Sequence, residues 1–455
     1  MATVETPKIV AGRSRAGWLS EGARAQIKEY APTFLTEFAV MASQIVAYKL
    51  AAYFLGKQGF SEYAVARRIV ATMYPLALLG FGVALPRYVA ACVRPQTDTR
   101  DRFLSATMWC VGAASALLLV TINLAPSTFA FLVFGSSGYS GLVFPISLII
   151  VGLTIHGAVY SYFRGRLLMK SANTLQFMNL AVAPPLCFLF GSRAVAPVLT
   201  RIGVASILVS LLGLAFTPWW KSAAVCLKEA RILLRYGVPR IFGDFAQMAL
   251  LGLPAFFVAH RVGVQQAGNV AFAVSVLSMI SGVFAPIGLI LLPKSSQMIA
   301  TGAVKELRGH VMAITKVSLL VAAGLTGLAC FTAGPLVRLY LGASYSDVAI
   351  VVRIVCIGAV PYCLFLVNRN VLDAFHEQAV TSAFLILALS ILVMGTLAFH
   401  SDERSGQSVV LGSLIAAIST LGVLTLFETL RILRCLEATR KIKVPASVKG
   451  LADGN

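Results

Sequence analysis

Charge is what this 455-residue sequence has least of: 12% of its residues are Asp, Glu, Lys or Arg, against about a quarter in soluble domains. At 58% apolar, the chain has too few polar groups to cover a folded surface, which excludes a water-soluble enzyme. Acids are scarcer still, 18 Asp and Glu against 38 Lys and Arg, for a net charge of +20. The first 29 residues hold five cations and no apolar h-region, so we expect no cleavable signal and a cytoplasmic N-terminus. Cysteines at 92, 110, 187, 226, 330, 356, 363 and 435 show no CxxC and no Cys/His spacing, which argues against disulfides and structural zinc. No Walker loop, nucleophile elbow or pair of catalytic carboxylates occurs, so neither an enzyme nor an ATP-driven engine is expected. The cations are spread over short loops, not gathered on a basic domain, and nucleic acid is not an expected partner.

What the sequence has in quantity is long apolar runs. They fall near 30–52, 64–89, 102–123, 141–163, 173–192, 197–217, 238–259, 268–292, 311–333, 348–367, 379–399 and 407–430. Each suffices to cross a hydrocarbon core of about 30 Å as a helix. The expected fold is all-α, a polytopic membrane protein of about 12 transmembrane helices. Lys57, Arg193, Arg261, Arg338 and Arg404 are the few cations on loops of one side. The positive-inside rule therefore places both termini in the cytoplasm, with the chain multi-pass in the cytoplasmic (inner) cell membrane. The longest break starts at Pro218 with Trp219–Trp220, and its basic amphipathic sequence predicts an interfacial linker able to meet membrane lipids. The expected division is a 1–29 cytoplasmic segment, a 30–217 N-lobe, a 218–237 linker, a 238–430 C-lobe and a 431–455 basic tail.

The two lobes read as a duplication. Shifting by 207 positions, Glu37-Phe38-Ala39 falls on Asp244-Phe245-Ala246, Gly56 on Gly263, and Leu85-Pro86-Arg87 on Leu292-Pro293-Lys294. Six crossings, an even number, separate the copies, so the repeat is parallel, with its axis along the membrane normal. Two such bundles can rock about a central cavity.

Helix geometry separates embedded charges from interfacial ones. Glu37 and Lys49 lie about 18 Å apart on one helix, so they cannot sit at opposite interfaces and at least one is embedded. Gln44 and Tyr48 continue the Glu37 face and predict a polar stripe toward a cavity. Arg353 and Arg369 are about 24 Å apart, which makes Arg353 the best embedded cation. Arg67 and Arg68 reach an interface by geometry, yet two adjacent guanidinium groups suit a phosphate. Asp244 and Gln247 share a face near the inner end of the seventh span. Arg201, Lys316 and Glu428 read as structural, Glu428 pairing with Arg431. His156 reads as a hydrogen-bonded core residue. Pro75, Gly80 and Gly82, with Pro286 and Gly288, predict bends in corresponding helices.

Three stretches carry a resemblance: LLRYGVPRIFGDFA, GVFAPIGLILLPKSSQM and PLVRLYLGASYSDVAIVVRIVCIGAVPYCLFLVNRNVLDAFHEQ. With FLGKQGFSEYAVARRIVATMYPLALLGFGVALPRYVA, they resemble the polysaccharide flippases of the multidrug/oligosaccharidyl-lipid/polysaccharide exporter superfamily over most of 30–430. The resemblance implies two six-helix lobes forming a V, and export of a lipid-linked oligosaccharide on polyprenyl diphosphate for polysaccharide biosynthesis. Substrate-binding cavity cations would then be Arg67, Arg68, Lys49 and Arg353. Glu37, Asp244, Gln44 and Gln247 depart from a purely cationic cavity and are candidates for ion coupling or gating. No cofactor or metal is expected, and proton or sodium coupling stays open. Expected partners are the lipid-linked glycan, membrane lipids and other glycan-assembly membrane proteins. A cation-coupled multidrug exporter and a membrane-embedded glycan polymerase or ligase are the alternatives.

Overall fold

A computed structural model describes residues 21–92, 97–217, 219, 226–284, 287, 291, 295, 298, 304–375, 380–398 and 403–438. Ten of its helices are long and apolar enough to cross a membrane. One of them, Ala31–Leu78, contains two crossings. Gly56, at φ +67° and ψ −173°, breaks it into span 1 (31–55) and span 2 (57–78, continued past a bend at 79–80 by the helix Phe81–Ala91), a backbone that glycine adopts without Cβ strain. Another crossing, span 5, is split into Met169–Gln176, a π segment Phe177–Val182 and Ala183–Phe188. Pro184 offers no N–H to the Leu180 carbonyl four residues back; Ser43 Oγ of span 1 reaches that oxygen at 3.5 Å. The ten thus hold eleven crossings, and span 5 is the twelfth.

The others are span 3 (Thr97–Leu124), span 4 (Val143–Gly165), span 6 (Val195–Ala215), span 7 (Leu227–Arg261), span 8 (Val264–Gly282) and span 9 (Val304–Tyr340). Span 10 joins Ser346–Ile357 to Ala359–Phe375, span 11 is Val380–Ala398 and span 12 is Glu403–Ala438. Spans 4 and 6 pack against each other within the first lobe, and spans 10, 11 and 12 within the second.

The duplication is visible in backbone and contacts. Gly263 opens span 8 at φ +116°, matching Gly56 at the same shift of 207. Two shift-related pairs touch each other: a Cβ on Gly268 would strike Ser61, and Arg68 hydrogen-bonds Ser275. Spans 2 and 8 therefore meet on the pseudo-twofold axis.

From Cys226 on, the 218–237 linker runs into span 7 without a break at 237/238: one helix starts at Leu227 and continues through Val238 and Pro239. Pro239 costs only one hydrogen bond, which membrane helices tolerate. Pro286, Gly288, Leu292-Pro293-Lys294, most of the N-terminal segment and residues 439–455 lie outside the described residues.

Candidate functional site between the lobes

At the end of the bundle that carries the Gly56 and Gly263 turns, the lobes are shut by aromatic side chains. Tyr48, Phe60 and Tyr63 of the first lobe are fully buried. Tyr48 meets Phe272 at 5.3 Å between ring centroids, Phe60 meets Tyr345 at 5.3 Å, and Phe272 stacks on Tyr340 at 6.2 Å. Edge-to-face pairs of this kind add to simple burial. Sequence reading reached only Tyr48. Phe272, Tyr340 and Tyr345 look like ordinary apolar or span-end aromatics until the fold brings them together.

Three of the four expected cations gather at this seal. Arg68 donates from Nε to Ala271 O at 3.2 Å and also to Ser275 Oγ, whose hydroxyl pairs with Tyr48 at 2.7 Å. Arg67 lies over the rings of Tyr48, at 5.2 Å, and Tyr63, at 6.0 Å. Lys49 is exposed; it donates to Tyr340 O and sits 5.7 Å from the centre of that ring, while Tyr340 hydroxyl bonds back to Ile45 O. No carboxylate pairs with Arg67, Arg68 or Lys49 among the described residues. Carbonyls, hydroxyls and π faces hold these charges, and all are neutral partners.

Arg353 stands elsewhere. It shares a helix face with exposed Ile350 and Ile357, and its Nε donates to Cys330 O of span 9 at 3.0 Å. That placement is on an apolar outer face of the second lobe, not beside the other three cations. The separation from Arg369 fixed its depth but not its direction, because a helix rotates about 100° per residue.

Away from the seal, spans 1 and 8 part around a cavity of about 310 Å³ whose lining includes Thr33, Glu37, Met41, Gln44, Ser278 and Gly282. Gln44 and Glu37 are half-buried here, about one and about three helical turns from Tyr48. Glu37 accepts a hydrogen bond from Gln176 Nε2 at 2.9 Å, and Asn173 of the same span donates to Thr33 at 3.1 Å. Buried Asn173 Oδ1, Gln176 Oε1 and Asn179 Oδ1 have no partner among the described residues. They follow at intervals of three on span 5 up to and into its π segment; Asn173 and Gln176 face span 1 beside Glu37, and Asn179 bonds to Ser210 of span 6. Buried polar atoms of this kind are ordinarily met by water or an ion.

The shift-related acid has a different setting. Asp244 is half-buried, within the electrostatic influence of the Arg369 and Arg240 guanidinium groups. Its neighbour Gln247 donates to Tyr362 at 3.1 Å and accepts from Arg369 at 2.7 Å; Arg369 in turn pairs with Asp373 at 3.3 Å, which accepts from Thr381 at 3.0 Å. Arg369 and Asp373 were not site candidates from sequence. His156 is buried as expected, but its Nδ1 lacks a hydrogen bond among the described residues and the ring stacks on Tyr160 at 5.7 Å. Glu428 pairs with Arg431 at 2.8 Å.

The opposite seam, between spans 2 and 7, is closed along its length. A Cβ on Gly252 would strike Thr72, and one on Gly80 or Gly237 would strike the other helix's backbone. Leu79 and Gly80 both have positive φ, 57° and 70°, which bends span 2 into this crossing. Beyond it, Tyr236 lies between Arg87 and Arg240, at 4.7 and 4.3 Å, and Arg87 donates to its hydroxyl at 2.7 Å.

Residues 28–299 match the family described as polysaccharide biosynthesis protein. No curated protein matches the chain as a sequence relative. Among solved structures, an inward-facing multidrug resistance MATE family transporter of the MOP superfamily superposes with a TM-score of 0.72 at 12% identity, over 88% of this chain and 96% of that one. An outward-facing MATE transporter gives 0.57 at 11%, over 90% and 97%. The lipid II flippase MurJ in an inward closed conformation gives 0.62 at 14%, over 92% and 94%. These likenesses establish a shared two-lobed fold.

Proposed function

We propose that the chain, which belongs to the polysaccharide biosynthesis protein family, is an alternating-access flippase that carries a polyprenyl-diphosphate-linked oligosaccharide from the cytoplasmic to the outer leaflet. The observation that carries this reading is the asymmetry of the lobes. A seal holding Arg67, Arg68 and Lys49 closes one end, and a cavity opens between spans 1 and 8 toward the other. On the charge-based orientation, that opening faces the cytoplasm. The better superposition on an inward-facing than on an outward-facing transporter supports the same state.

An anionic headgroup would enter between spans 1 and 8 while its lipid tail stays in the bilayer. As the seal parts, Arg67 and Arg68 exchange neutral partners for phosphate oxygens, a charge-assisted and bidentate exchange that favours opening. Phosphate groups offset the cost of exposing those cations in a low-dielectric channel. With an interior-negative potential, each negative charge exported gains about 2.3 kcal/mol per 100 mV. Coupling to protons or sodium would run through Glu37, whose oxygen-rich surroundings suit a small cation better than the arginine-flanked Asp244 does. No cofactor and no catalytic step is needed. Other glycan-assembly membrane proteins would supply and consume the cargo in the inner membrane.

The test is reconstitution. Purified chain in sealed vesicles should move labelled polyprenyl-diphosphate glycan between leaflets, and protein-free rates with and without ion gradients would refute the reading. One observation favours a cation-coupled drug exporter: the open cavity is walled by Glu37 and not by arginine. In that case vesicles would move lipophilic cations, Glu37→Gln would stop them, and the glycan lipid would not cross.

A further inference from the structure

The start of span 7 carries a feature that the transport reading does not use. A groove of about 560 Å³ is lined by Leu227, Ala230, Arg231, Leu234 and Arg235. Arg231 and Arg235 are exposed, one helical turn apart, and neither has a partner among the described residues. Their neighbours do: Glu229 is buried against Arg102 at 3.1 Å, and Arg240 covers the Tyr236 ring. Two like charges at this spacing repel each other and weaken the helix unless an anion lies between them.

The apolar residues on the same stripe say which anion. Leu227, Val238 and Phe242 are exposed at 74%, 40% and 63% and fall on the helix face of Arg231 and Arg235. From Arg235 to Phe242 is about 10 Å along the axis, the step from headgroup level into the acyl region. Cations followed by exposed apolar side chains match an amphiphile's phosphate and chain, whereas a soluble anion would leave Val238 and Phe242 uncovered. We propose that this stripe binds one anionic phospholipid, with its phosphate held between Arg231 and Arg235 and an acyl chain along Leu234, Val238 and Phe242. Charge complementarity fixes the occupant, since a zwitterionic headgroup would bring a second cation to the pair. The site does not depend on what the protein transports.

The experiment is native mass spectrometry of the full chain, released from micelles holding equal phosphatidylglycerol and phosphatidylcholine. Wild type should retain phosphatidylglycerol at least tenfold over phosphatidylcholine. Arg231→Gln and Arg235→Gln should each cost about fivefold, the equivalent of about 1 kcal/mol per cation near an anionic surface, and the double variant should lose the preference. The Arg231→Lys/Arg235→Lys variant, which keeps charge, should retain most of it and shows that the helix start still folds. Equal retention of the two lipids overturns the proposal. So does an equal loss in a Lys305→Gln/Arg308→Gln variant, which would mean general attraction to the cationic chain, or displacement of the lipid by millimolar sodium diphosphate, which would mean a free-anion site.

Discussion

The seam between spans 2 and 7 and the seam between spans 8 and 1 are counterparts under the internal repeat, yet one is closed and the other holds the cavity. Thr72, Gly80, Gly237 and Gly252 let the first pair of backbones touch. Their counterparts one repeat away include Met279, which lines the cavity between spans 8 and 1, and Ile45, both larger side chains. The lesson is that duplication supplies the frame and a few small-for-large exchanges decide which seam opens. The embedded acids diverge in the same way: Glu37 sits among amides on the open side, and Asp244 sits among arginines.

The largest expected effect comes from fixing the seal. A Tyr48→Cys/Ser275→Cys pair, at the positions whose hydroxyls meet at 2.7 Å, should be bridged by a bis-methanethiosulfonate reagent about as long as the tyrosine side chain it replaces, which should lower vesicle transport at least tenfold, with recovery on reduction. Transport unchanged after complete cross-linking would show that the seal does not move. Next is the contrast among arginines. Arg68→Ala removes the guanidinium that would exchange Ala271 and Ser275 for phosphate oxygens and should cut transport about tenfold or more, the loss of about 1.5–3 kcal/mol for a hydrogen bond to a charged group. Arg353→Ala, on the outer face, should stay within about twofold. A reversal of that order would break the placement of the site.

A third change acts on the closed seam. Gly237→Ala sets a methyl group against the Leu79 carbonyl and should destabilise the chain by about 1–3 kcal/mol, seen as a lower unfolding temperature in detergent. The matching change on the open seam, Gly282→Ala, meets only the Met41 sulfur at 3.2 Å and should be milder. The smallest effect is expected from Glu37→Gln. It should leave basal exchange within a few fold and abolish any dependence on a proton or sodium gradient, measured by collapsing each gradient in turn. Dependence retained in Glu37→Gln but lost in Asp244→Asn would move coupling to the second lobe.

Much of this frame was legible in the sequence. Apolar run length located all twelve crossings, including those that the Gly56 break and the span 5 π segment obscure, because a hydrocarbon layer demands a fixed length of helix. The shift of 207 was legible too, since Gly56 and Gly263 must both adopt turns that disfavour a side chain. Depth along a helix could be counted, and direction around it could not. Arg67, Arg68 and Lys49 met at the seal, while Arg353 turned to an outer face where a span 9 carbonyl satisfies it. The aromatic seal and the Arg369–Asp373 pair depend on contacts between helices remote in sequence, which no local pattern encodes. The boundary at 237/238 was not legible for another reason: amphipathic composition does not reveal whether a helix stops, and this one continues into span 7.

The most direct measurement is a pair of spin-label distances in lipid vesicles, one from Phe38 to Val283 across spans 1 and 8, the other from Val83 to Val238 across spans 2 and 7. These four side chains are exposed and tolerate labels. On adding the polyprenyl-diphosphate glycan, the account predicts that the first distance shortens or becomes bimodal as the cavity closes, while the second shifts much less. A first distance that never changes, or two distances that change equally, would contradict it.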